Sequence, residues 1–227
     1  MFNLEGFLTP SALDTSLDLI RPRLATEAFT HARRHNIYFE PSIPGIPKDH
    51  PALMQTETVN RTLCADQLCD TPVLQAYVYP PLGKFLSEIM GLSMLYPMDD
   101  PLAALNVMGY GSGEALNWHF DRSQFTTTLL LQASDAGGAF EYRPDLRSDD
   151  DPNFDGVARL LAGEDDTVRT LSMYPGTLNV SLGKNTAHRV TPVQGERQRI
   201  VAVFSYYDRP GVRFSPAEQR GFYGRVA

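Results

Sequence analysis

From about residue 103 onward the chain is a succession of short runs rich in Val, Leu, Thr, Phe and Tyr, each cut off by Gly, Pro or Asp. Runs this short, with turn residues between them, are the pattern of an antiparallel sandwich or barrel. The expected strands are Ala104–Tyr110, Thr126–Ala133, Ala139–Tyr142, Val168–Leu171, Thr177–Ser181, His188–Val193 and Arg199–Tyr207. An acidic loop from Asp145 to Asp155 interrupts them and leads into a helical turn at Val157–Ala162. The fold class read from this half is mainly β with flanking helices.

The first 102 residues read differently. Leu13, Leu17, Ile20 and Leu24 recur at three- and four-residue spacing behind Ser11, a residue able to cap a helix, and Pro22 should break or kink that helix. A further helical turn is expected from Ala25 to His35, with His31 and His35 on one solvated face. They do not form a zinc motif, because Ala32 stands where His-Glu-x-x-His needs its Glu. Pro41, Pro44, Pro47 and Pro51 make residues 40–52 extended and irregular, and Phe85, Leu86, Ile89 and Met90 predict a short helix closed by Gly91. No repeat or Gly/Ser linker divides the chain. It reads as a single domain over 1–227: a mostly helical and irregular part (1–102), a β core (103–208) and a tail (209–227).

Composition narrows the partners. The chain is 42% hydrophobic and 21% charged, and no apolar run approaches the roughly 18 residues of a membrane span. Met1-Phe2-Asn3-Leu4-Glu5 lacks the basic and apolar regions of a signal peptide, and Cys64 and Cys69 are too few for a disulfide framework. A cytoplasmic protein with reduced, packed thiols is expected. A net charge of −7 argues against nucleic acid as a partner. Gly109-Tyr110-Gly111-Ser112-Gly113 lacks the Lys-Ser/Thr of a phosphate loop and reads as a turn, and Ser112 is in no Gly-x-Ser-x-Gly elbow. Nothing in the sequence sets the oligomeric state.

The chemistry concentrates at His119-Phe120-Asp121 and His188. On a strand, residues two apart point to the same face, so His119 and Asp121 would converge. Two imidazoles and one carboxylate hold an octahedral ferrous ion on one side and leave three positions open, enough for a bidentate keto acid and dioxygen. Past a turn at Gly195, Arg197 and Arg199 share a strand face with Val201 and Val203. A guanidinium there is suited to a carboxylate inside a barrel.

Residues 106–207 resemble the 2-oxoglutarate- and Fe(II)-dependent dioxygenase superfamily. The matching pieces are Tyr110 with its glycine turn, Trp118-His119-Phe120-Asp121, Gly137-Gly138-Ala139-Phe140, Pro175-Gly176-Thr177 and His188 through Tyr206, in the family's order. The resemblance implies a double-stranded β-helix (jelly-roll) core, with His119, Asp121 and His188 as the catalytic iron ligands and 2-oxoglutarate as co-substrate beside dioxygen. It also implies an arginine for the far carboxylate of 2-oxoglutarate. Counting forward from His188 favours Arg197, and counting back from Tyr206 favours Arg199. Arg199 is preferred, since Arg197 adjoins the Gly195-Glu196 turn. Tyr110 resembles a position that hydrogen-bonds the co-substrate, and packing at a strand end would explain it equally well. Members that halogenate replace the acidic ligand by a small residue. Asp121 is acidic, so hydroxylation is the expectation.

Asn117 through Ser123 and the Ser205-Tyr206…Arg209-Pro210-Gly211 tail are more loosely similar to small amino-acid hydroxylases related to carrier-independent halogenases. That similarity implies a small-molecule substrate such as a free amino acid. Arg122 or Arg61 would then meet its carboxylate and Glu114 its ammonium. Two other readings compete: a cupin-like metal-binding protein independent of 2-oxoglutarate, and a hydroxylase or demethylase of protein side chains or nucleobases.

Overall fold

The computed structural model describes residues 1–40, 42–121 and 125–227. The N-terminal part comprises β1 (Phe2–Leu4), α1 (Pro10–Thr26), β2 (Phe29–His35), β3 (Thr56–Leu63), α2 (Pro72–Tyr77), α3 (Pro80–Ile89) and β4 (Tyr96–Pro97). There follow β5 (Leu105–Tyr110), β6 (Leu116–His119), β7 (Thr126–Gln132), β8 (Ala136–Gly137), β9 (Phe140–Arg143), α4 (Phe154–Ala162), β10 (Arg169–Leu171) and β11 (Leu178–Ser181). The chain finishes with β12 (Ala187–Val190), β13 (Val193–Gln194), β14 (Arg199–Phe204), β15 (Tyr206–Tyr207) and α5 (Pro216–Tyr223).

Seven strands pair antiparallel in the order β1-β11-β7-β14-β5-β3-β2, and four more in the order β10-β9-β12-β6. Alternation within the large sheet separates two environments. On one face Leu105, Leu129, Leu131, Ile200 and Ala202 join Ile20 and Leu24 of α1 and Leu86 of α3 in the main core. Each such leucine, fully buried, contributes on the order of 2 kcal/mol. On the other face Asn106, Met108, Tyr110, Thr126, Thr128, Arg199 and Val201 line a cavity shared with the smaller sheet. A second core under α4 gathers Ile37, Trp118, Phe120, Leu146, Val157 and Leu160 behind β6.

The N-terminal part, read as mostly helical and irregular, also contributes the strands β1 to β4, and it differs from its sequence reading in detail. Thr9, not Ser11, caps α1: its hydroxyl accepts from the Ala12 amide at 3.3 Å, with Pro10 in the first turn. Pro22 does not end α1, which runs on to Thr26; Leu17, Ile20 and Leu24, buried on either side of it, hold the helix to the sheet. Residues 29–35, expected to be helical, form β2. They pair with β3 in unbroken register from Phe29↔Thr62 to His35↔Thr56. The segment has no apolar stripe to hold a helix down, whereas pairing with β3 satisfies the backbone groups on one side of it along its whole length. His31 and His35 therefore lie on the cavity side of a strand, not on a solvated helix.

The C-terminal segment is tied down by one buried carboxylate. Asp100 Oδ1 accepts from the Leu102 and Ala103 amides at 2.9 and 2.8 Å. Its Oδ2 accepts from the Phe214 amide and Gln219 Nε2 at 3.0 and 2.9 Å. The Tyr223 hydroxyl donates to Asn106 Oδ1 at 2.8 Å. These bonds set Phe222 and Tyr223 of α5 at the cavity wall.

Candidate functional site

The cavity measures about 320 Å³, which is in the range of small-molecule pockets. Its chemistry centres on His119, Asp121 and His188, whose ligand atoms lie within 4.8 Å of one another. His119 ends β6 and His188 lies on β12, directly opposite in the ladder. Asp121 follows two residues after His119, and its amide donates to the Gly183 carbonyl at 3.0 Å. Asp121 Oδ1 is 3.4 Å from His119 Nε2, and Oδ2 is 3.4 Å from His188 Nε2.

Each imidazole is oriented from behind. His119 Nδ1 donates to the Asn117 carbonyl at 2.8 Å and His188 Nδ1 to the Thr186 carbonyl at 3.0 Å. Both Nε2 lone pairs are thereby turned toward Asp121. The Thr126 hydroxyl donates to Asp121 Oδ2. Gly183 makes the close approach possible: a Cβ there would sit 1.9 Å from Asp121 Oδ2. The electrostatics follow from burial and proximity. Burial alone would raise the Asp121 carboxyl, but the two imidazoles outweigh it and hold the group well below the usual carboxylate range. Burial and the neighbouring His188 lower His119. His188 is raised, because Asp121 overcomes the desolvation that would lower it.

At another part of the wall, Arg199 on β14 lies opposite Tyr110 on β5. Arg199 is 3% exposed and its Nη1 has no hydrogen-bond partner among the described residues. Burial lowers its pKa, with Tyr110 partly opposing. The Tyr110 hydroxyl is pushed up to about 12 by the same desolvation. Gly138, with φ of +61°, leaves room for the arginine stem; a Cβ there would come within 3.1 Å of Arg199 Cδ. Arg197 lies elsewhere. Its side chain is 55% exposed and its Nε is 3.3 Å from Asp135 Oδ1.

Of the residues expected to hold the substrate, Arg61 and Glu114 pair with each other away from the cavity lining. Arg61 Nη1 donates to Glu114 Oε2 at 2.9 Å, and the same oxygen accepts from the Gly111 amide at 2.6 Å. That carboxylate fastens the turn after β5 and already has its cation, and neither residue is among those lining the cavity. Arg122 lies outside the described residues. The sequence reading missed the polar wall of β2 and β3: Arg33, Thr58, Asn60 and Thr62 all face the cavity. The available signal was the every-second-residue spacing of Thr58, Asn60 and Thr62, which are buried in β3 despite being polar.

A search of curated proteins finds no match by sequence. Solved structures share the fold. An epimerase from nogalamycin biosynthesis, described as non-heme and alpha-ketoglutarate-dependent, superposes with a TM-score of 0.59 at 13% identity, over 91% of this chain and 76% of that one. A prolyl-4-hydroxylase from Pseudomonas putida gives 0.53 at 13% identity, over 89% of each chain. An oxidoreductase of the 2OG-Fe(II) oxygenase family from Burkholderia pseudomallei gives 0.51 at 15% identity, over 90% and 85%. The jelly-roll expectation for the core is thereby met. One family model, halogenase D, matches residues 46–213, a span that takes in β3, the His119/Asp121/His188 cluster and Arg199. The chain belongs to the halogenase D family.

Proposed function

We propose that this chain is an Fe(II)- and 2-oxoglutarate-dependent oxygenase that hydroxylates a small molecule. The observation that carries the reading is the pairing, in one cavity, of the His119/Asp121/His188 cluster with the buried, partnerless Nη1 of Arg199. A buried guanidinium nitrogen without a partner is costly unless a ligand supplies the acceptor. The distal carboxylate of 2-oxoglutarate is such an acceptor, and its keto-acid end suits an ion held on one face by two imidazoles and a carboxylate.

His119, Asp121 and His188 would hold the metal, and Arg199 with Tyr110 the far end of the co-substrate. Ferrous iron, 2-oxoglutarate and dioxygen together supply oxidation of a C–H bond coupled to decarboxylation of the keto acid to succinate. The chain's part is positional. Thr126 and Gly183 fix the Asp121 carboxylate, the carbonyls of Asn117 and Thr186 fix the imidazoles, and Phe39, Phe140 and Val201 present apolar surface around the cluster. Asp121 also bears on the outcome within a family named for halogenation. An acidic side chain at this position would serve as a third protein donor in the place a halide would need, which favours hydroxylation over halogenation. Hydroxylation of a free amino acid or similar small polar compound fits the size and polar wall of the cavity.

The test is an anaerobic titration of the metal-free protein with Fe(II) and then 2-oxoglutarate, followed by visible absorption. A weak charge-transfer band requiring both supports the reading. Iron bound with no band on adding 2-oxoglutarate overturns it in favour of a cupin-like metal protein.

A further inference from the structure

The cavity's charges are unevenly used. Among the described residues that line it, the only carboxylate is that of Asp121, and the two arginines are Arg199 and Arg33. Asp121 lies between the imidazoles and Arg199 at the Tyr110 wall, which leaves Arg33. It projects from β2 with His31 and His35 on the same strand face. Arg33 carries the fixed charge of that face, since a guanidinium stays protonated in any protein environment. Among the described residues no carboxylate pairs with it. Its guanidinium lies over the Phe39 ring at 5.4 Å, and that ring meets His119 edge-on at 5.8 Å. One aromatic ring therefore separates an unpaired guanidinium from the metal-site imidazole. A second donor stands nearby on β3. Asn60 Oδ1 accepts from the Thr62 hydroxyl at 2.8 Å, while its Nδ2 donates to no described group.

An arginine exposed to a cavity, backed by an aromatic face and unmatched by any acid, is built for an oxyanion that arrives with the ligand. We infer that the substrate is a small organic acid whose anionic group is held by Arg33 at the β2 wall, with the carbon to be oxidised extending past Phe39 toward His119. The inference rests on the oxygenase reading and deepens it by naming the substrate's recognition group. It replaces Arg61 and Glu114, which are engaged with each other. The chemistry recognised is a carboxylate or a comparable oxyanion, and a neutral analogue of the same length should be refused.

The probes are straight-chain carboxylates of four to eight carbons and their primary amides, added anaerobically to the chain loaded with Fe(II) and 2-oxoglutarate. At least one acid should shift the visible band at millimolar concentration, its amide binding at least tenfold more weakly. Arg33→Gln should weaken the acid at least tenfold while leaving the 2-oxoglutarate affinity within twofold. Arg33→Lys should recover part of the loss, and Arg34→Gln, on the solvent face of the same strand, should change neither. Melting of the metal-free protein with and without the acid is the second readout, in which the acid raises Tm for the parent and not for Arg33→Gln. Equal binding of acid and amide, no acid bound by either readout, or an unaffected Arg33→Gln overturns the inference. If the Fe(II)/2-oxoglutarate band never forms but the Arg33-dependent Tm rise persists, the anion site stands and the oxygenase reading falls.

Discussion

Replacing Arg199 by Met should move ligand affinity and intrinsic stability in opposite directions. Arg199 is 3% exposed, and its Nη1 lacks any partner among the described residues. In the ligand-free chain that group is a liability: an unsatisfied buried donor costs about 1–3 kcal/mol. Methionine follows most of the arginine stem's path through the space left open by Gly138, so it removes the liability without a large void. The ligand-free Arg199→Met protein should be as stable as the parent or about 1–2 kcal/mol more stable, a Tm gain of roughly 2–8 °C at this chain length. With 2-oxoglutarate the sign reverses. Losing one partner of a buried charged pair costs about 2–5 kcal/mol, which weakens binding from about 30-fold to several thousand-fold. Calorimetric melting without ligand reads the first effect, and anaerobic titration of the iron-loaded protein by visible absorption reads the second. Arg197→Met is the control. That side chain is exposed and paired with Asp135, so neither quantity should move by more than about 0.5 kcal/mol. Binding of 2-oxoglutarate by Arg199→Met within threefold of the parent would falsify the anchoring role. A ligand-free variant more than 2 kcal/mol less stable would show the guanidinium to be a structural element instead.

Three further outcomes follow from the same geometry. Gly183→Ala puts a Cβ where the Asp121 carboxylate lies, 1.9 Å from Oδ2, so Fe(II) affinity should drop at least tenfold with the fold intact; parent-like iron binding, read by titration beside circular dichroism, argues against a fixed Asp121. His119→Ala or His188→Ala should abolish succinate formation, and full turnover by either variant would sink the assignment of the metal site. Asp100→Asn should destabilise the chain by about 2–4 kcal/mol by weakening the hub that holds the 214–219 segment. Burial would raise Asp100, but four hydrogen bonds outweigh it and its pKa is lowered. Its contribution is therefore fully present above the unfolded value of about 3.9 and fades as pH falls through the lower folded value, so the gap in stability between parent and variant should narrow in acid melts.

What could be read from the sequence was decided by how many faces of each strand are apolar. β5, β7 and β14 have one face in the main core, so Leu105, Leu129, Leu131, Ile200 and Ala202 punctuate them at every second position and the strands announce themselves. The His119/Asp121/His188 cluster was legible for a similar local reason, since His119 and Asp121 stand two apart. Its third member, His188, is 69 positions downstream of His119 in the numbering, and its exact pairing with His119 is a product of the ladder that no local pattern records. β2 has neither advantage. One of its faces carries His31, Arg33 and His35 toward the cavity, and the other carries Ala32 and Arg34 to solvent. With no apolar face it has no period to detect, and the sequence predicts a helical turn there instead. β3 hides in the same way behind Thr58, Asn60 and Thr62. Arg61 and Glu114 show the complementary failure: each is charged and near a motif, and only the fold reveals that they neutralise each other. The consequence reaches beyond these residues. A strand that builds a polar ligand wall must give up the hydrophobic alternation by which strands are recognised. In this chain the His119/Asp121/His188 cluster could be found in the sequence because potential metal ligands are few and chemically distinctive, while the Arg33 wall could not, because threonine, asparagine and arginine facing a cavity look in sequence like threonine, asparagine and arginine facing water.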